Sequence, residues 1–154
     1  GELKSVQDSL QAALLLRLYI LTNVGFDLRS GIGVGDPNLD LEHPFNFVPD
    51  DASFLFAEQS LKHLKDNPEF NTYVSGVSEF EETIGVINLW LDLRDKSLED
   101  LDYFQKLILL HTLSGKNPIE ISERIFRPLD QIESAVEGNI FQGIVNTFPE
   151  SSSI

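Results

Sequence analysis

The stretch LILLHTLSGKNPIEISERIFRPLDQIESAVEGNIFQGIV, residues 107–145, decides how this chain is read. Apolar residues run from Leu98 to Leu113 behind Ser97, a good helix cap, with Glu99 and Asp100 in a first turn where negative charge suits the helix dipole. Gly115 stops that helix. Asn117, Pro118 and Glu120 then supply a cap, the favoured first-turn proline and a reciprocal glutamate, which predicts a short second helix from Pro118 to about Phe126. Pro128 restarts the chain in a third helix with Leu129, Ile132, Ala135 and Val136 on one side, and Gly138 is a weak point midway.

This order of residues resembles the three-helix core of winged helix-turn-helix proteins, such as the MarR-type regulators, over about 45 residues from Phe104 to Phe148. The resemblance implies a second helix lined by Ile119, Ile121 and Ile125, a third helix in the recognition position, and Gly143 to Val145 as the first strand of a wing. Two departures bear on function. The chain ends soon after Phe148, so a wing is either truncated or pairs with an extended piece such as Phe45 to Val48. The third helix carries Asp130, Glu133 and Glu137 and has no Lys or Arg between Pro128 and Gln142, where DNA readers place basic or amide groups.

Charge repeats that message over the whole chain. Lys plus Arg number 11 against 25 Asp plus Glu, a formal −14 that repels nucleic-acid phosphates and anionic membranes at long range. Between 97 and 154 the four cations Lys106, Lys116, Arg124 and Arg127 stand against nine carboxylates. Cysteine is absent, so neither disulfides nor thiolate metal sites staple the fold, which fits a reducing, cytoplasmic compartment. A start at Gly1 with no methionine anywhere reads as a trimmed N-terminus, from which a signal peptide could have been removed. The longest apolar run, Leu10 to Leu21, is too short and, with Arg17, too charged to span a membrane.

Upstream, Leu3, Val6, Leu10, Leu14, Leu18 and Leu21 predict a helix to about Val24, apolar enough on its other side to be a central helix or a homodimer seam. Glycines and prolines crowd residues 25–49 and predict a long loop. Asp50 is placed to cap a helix to about Lys65, and a turn-like patch around Gly76 follows. Ser78 and Glu81 form a capping-box pattern for a helix to about Arg94, mostly buried because Phe80, Ile84, Ile87 and Leu91 are joined by Val86, Leu89, Trp90 and Leu93 around the cylinder.

No residue set rises to a catalytic or metal site. Asp36, Asn38, Asp40 and Glu42 alternate like half a calcium loop, but Leu41 stands where that loop needs glycine and Phe47 where it needs glutamate. Gly31, Gly33 and Gly35 lack the preceding strand and the lysine of a phosphate cradle, and read as a turning loop. His43, His63 and His111 have no ligand-type partner at helical spacing. No glycine-flanked nucleophile turn appears, the paired acids at 81–82 and 99–100 suit helix N-termini, and Trp90, Tyr19 and Tyr103 read as core.

The expected architecture is therefore all-α, mostly helical: a helical region over 1–96 packed on a winged-helix-like unit at 97–148, at most a minimal β element, and a disordered tail at 149–154. The expected function is non-enzymatic and needs no cofactor: an intracellular interaction module, adaptor or regulatory subunit. It would hold a neutral or basic protein on the third-helix surface of Asp130, Gln131, Glu133, Ser134 and Glu137, with a homodimer through the first helix as a further expectation. The alternatives are a DNA-binding regulator contacting DNA through Lys106, Lys116, Arg124 and Arg127, and a small-ligand or metal sensor built on the 25–49 loop.

Overall fold

The computed structural model describes residues 5–35 and 52–147. Among them lie seven α-helices and a two-stranded parallel sheet, so the protein is mostly helical with a minimal β element. The elements are α1 (Val6–Asn23), β1 (Ser30–Val34), α2 (Ala52–Asp66), β2 (Thr72–Gly76), α3 (Glu81–Glu99), α4 (Tyr103–Leu113), α5 (Pro118–Ile125), α6 (Leu129–Val136) and α7 (Asn139–Asn146). The chain divides into two compact units, residues 1–9 with 29–95 and residues 10–28 with 96–154. Residues 10–28, most of α1, thus group with the C-terminal helices.

The first unit corrects the reading of residues 25–49 and of the patch around Gly76. Ser30–Val34 is a strand, paired in parallel with Thr72–Gly76 so that Gly31 lies beside Tyr73 and Gly33 beside Ser75. The glycines are there to admit α2, not to turn the chain. A Cβ at Gly31 would lie 2.7 Å from Leu61 Cγ and 2.8 Å from the Ala57 carbonyl oxygen, and one at Gly33 would run into the Ser53 carbonyl and the Ala57 amide. Strand and helix therefore meet backbone to backbone. Ser60, fully buried on α2, donates to the Ile32 carbonyl (3.0 Å) and meets Ser75 Oγ at 2.9 Å, and the Arg29 guanidinium donates to the Leu64 and Pro68 carbonyls, the first in the last turn of α2. His63 stacks on Tyr73 with ring centroids 3.8 Å apart.

Helix α3 bonds to β2 through the Arg94 guanidinium, 3.5 Å from Thr72 Oγ1, and through the Asn88 amide. The Asn88 side chain accepts from the Val74 N–H (2.8 Å) and donates to the Val74 carbonyl (2.9 Å). Two capping expectations fail here. Val77 precedes a 3-10 turn at Ser78–Phe80 with no side-chain cap, and Ser97 lies inside α3, whose buried line of Leu91 and Leu98 carries the helix past it to Glu99. The next helix, α4, starts instead behind Asp102, whose carboxylate accepts from the Gln105 N–H (2.7 Å) while the Gln105 side chain accepts from the Asp102 N–H. A further expectation, that α3 is mostly buried, is also corrected: Val86, Leu89 and Leu93 are 69, 63 and 59% exposed.

The second unit has a continuous apolar core of Leu14 and Leu18 from α1, Leu98 and Leu101, Ile108 to Leu110 from α4, Ile121 from α5, Ile132 from α6, and Phe141 and Ile144 from α7. Arg17 is 2% exposed in α1 and holds Asp27 through two bonds of 2.7 and 2.9 Å, which satisfies a charge that the surrounding leucines would otherwise strand. Gly115, at φ +81°, ends α4 as expected. The expected third helix is two: α6 ends at Val136 and α7 begins behind Gly138. Gly143 to Val145, expected as a wing strand, lie within α7. Phe141 and Ile144, three apart, are both buried, a helical and not an alternating pattern.

Candidate functional site

The turn between α5 and α6 is fixed by its own residues. Asn117 accepts from the Glu120 N–H (3.0 Å) and Glu120 accepts from the Asn117 N–H (2.8 Å), the reciprocal cap expected for α5. At its other end Phe126 adopts the left-handed conformation, φ 55° and ψ 49°, and its N–H donates to the Ser122 carbonyl. Ser122 then clasps the turn, accepting from the Arg127 N–H at its carbonyl (3.2 Å) and donating its hydroxyl to the Arg127 carbonyl (2.6 Å). Pro128 caps α6 through its own carbonyl, toward the amides of Gln131 and Ile132.

This geometry throws one aromatic ring outward. A glycine at the left-handed position would project nothing, whereas Phe126 is 91% exposed. Ile119, seven residues earlier on α5, and Leu129, at the first position of α6, are exposed too. The five predicted surface residues all face solvent, Asp130, Gln131, Glu133 and Ser134 on α6 and Glu137 just past its end, while Ile132 on the same helix is fully buried. The α5–α6 segment thus exposes apolar side chains together with three carboxylates. The acidic half of this surface was legible in the sequence. The aromatic half was not, because Phe126 reads as the last core residue of an amphipathic helix until its backbone conformation is known.

The cations gather only in part. Lys116 and Arg124 line one open depression, but with Glu120 and Glu123, and Lys116 Nζ lies 3.8 Å from a Glu120 carboxylate oxygen. Arg127 sits over the Phe104 ring, 5.8 Å from its centroid, and Lys106 is half-buried on α4. A phosphate in the depression would meet two carboxylates with its two cations. Beside it His111 is held below its ordinary value of 6.5, first by burial and then by the charges of Arg124 and Lys116.

The remaining candidates are dispersed. His63 lies on α2 within its aromatic stack, and among the described residues no group of three or more His, Asp or Glu side chains is placed to hold a metal ion. The calcium-like positions Asp36, Asn38, Asp40 and Glu42, with His43, the extended piece at 45–48 and the Asp50 cap, lie outside the described residues. No helix among the described residues is long and apolar enough to cross a membrane. Set against protein-family models, curated proteins and solved structures, the chain matches none.

Proposed function

We propose that the C-terminal unit is a non-enzymatic interaction module, an adaptor or regulatory subunit whose α5–turn–α6 surface holds a basic or neutral protein segment. The observation that supports it is that one short segment exposes both Phe126, at 91%, and the carboxylates Asp130, Glu133 and Glu137. An aromatic anchor with a charged rim is the usual composition of an energetically concentrated protein contact. The carboxylates select a cationic partner and speed its encounter, while the ring supplies the apolar area that excludes water.

The competing DNA-binding reading rests on Lys116 and Arg124 sharing one depression, and the glutamates in that depression weigh against it. Capture from native lysate by the immobilised chain separates the two. A partner retained by the wild type and lost on Phe126→Ala and on Glu133→Lys with Glu137→Lys, with retention falling as salt rises, supports the protein reading. Retention indifferent to both variants overturns it. So does tight, steeply salt-dependent binding of bare duplex DNA that disappears when Arg124 and Arg127 are reversed.

A further inference from the structure

Helix α3 carries two stripes at the same alternating spacing of four and three. One, Ile84, Asn88, Leu91, Asp95 and Leu98, contains the amide bonded to Val74 and the buried residues Leu91, Asp95 and Leu98. The other, on the opposite side of the cylinder, is Glu82, Val86, Leu89, Leu93 and Lys96, with its three apolar members more than half exposed. A helix apolar on both faces is one that expects cover on both, and a spacing of four and three is the spacing of a helix-on-helix seam.

The ends of the outer stripe say what covers it. Glu82 lies in the first turn of α3 and Lys96 in the last, each at the end of the dipole that suits its charge. Two α3 helices laid antiparallel with Leu89 on the two-fold axis bring Glu82 of each copy opposite Lys96 of the other. The same register puts Leu93 opposite Gly85, which is exposed and has open space around the position of a Cβ. A parallel pairing would instead set like charges together at both ends. We infer that the outer stripe of α3 is the seam of a homodimer, two copies of this chain joined by antiparallel α3 helices about Leu89. The contact is isologous, so each substitution acts twice.

Sedimentation equilibrium of the purified full chain across the micromolar range tests this, with far-ultraviolet circular dichroism confirming that each variant is folded. The wild type is expected to dimerise and Leu89→Glu, which opposes two carboxylates on the axis, to be monomeric. Glu82→Lys and Lys96→Glu are each expected to weaken dimerisation roughly threefold to tenfold, the range set by two exposed ion pairs turned repulsive. Combining them is expected to restore it. Leu16→Glu, on the exposed side of α1, is expected to leave the dimer intact. A monomeric wild type, a dimer lost on Leu16→Glu and kept on Leu89→Glu, or a double charge exchange no better than its single members overturns the proposal. Where Leu89→Glu fails to fold, the charge exchange decides alone.

Discussion

Phe126 holds a backbone conformation that favours glycine, and its ring is almost wholly exposed, so the fold gains little from the side chain. Phe126→Gly should leave stability unchanged or raise it by up to about 1 kcal/mol, since relief at the left-handed position is partly offset by a more flexible unfolded chain. The same variant should lose the partner captured by the wild type. Urea denaturation reads the first effect, and a loss of stability beyond that range would mean the ring packs somewhere. Arg17 gives the opposite case, a buried charge whose bidentate bonds go to Asp27. Asp27 is itself 43% exposed, which tempers its contribution. Asp27→Ala should cost about 1–2 kcal/mol in the same measurement. His111 adds a pH dependence of defined sign. Its imidazole protonates more readily in the unfolded chain, so its share of stability is whole above 6.5 and declines as the pH falls below that value toward the lowered folded pKa. His111→Gln should lose less stability than the wild type between about pH 7.5 and about pH 5.5, and an equal loss would remove the effect from this residue.

At the scale of elements, the contact between β1 and α2 depends on the glycines of SGIGVG. Gly33→Ala should destabilise by about 3 kcal/mol or more, because the new methyl meets the backbone of Ser53 and Ala57, which cannot rotate away. Gly31→Ala should cost less, since one of its neighbours is the flexible Leu61 side chain. Equal costs, read from urea midpoints, would contradict this account. These glycines also mark the limit of what the sequence could say. Ile32 and Val34 do alternate, but with glycines in place of polar residues, so composition pointed to a loop, and only the partner helix explains the bare face. The caps at Asn117 and the stop at Gly115 were legible because their chemistry is local. The division at Gly138 and the helical state of Gly143 to Val145 were not, because Ile144 and Val145 have the same composition in a wing strand as in a short buried helix.

For the whole molecule, acidity in the sequence became an arrangement. Three exposed carboxylates, Asp130, Glu133 and Glu137, follow an exposed aromatic ring along the α5–α6 segment, and Lys116 and Arg124 share a depression with Glu120 and Glu123. The mostly helical class was legible from apolar spacing over long segments, whereas the short parallel sheet arises from pairing between residues about forty positions apart. That pairing leaves the far side of β2 with hydrogen-bonding groups that no third strand occupies among the described residues, and at Val74 the Asn88 amide stands in for one. The consequence reaches beyond one molecule. An open parallel strand is a template onto which other chains add, and the amide is a stopper at its centre. Asn88→Leu keeps the size of the side chain and removes the stopper, so the variant should nucleate thioflavin-positive fibrils on gentle heating where the wild type stays clear. A variant that merely unfolds without fibrils would show that Asn88 holds the strand in place but does not guard it.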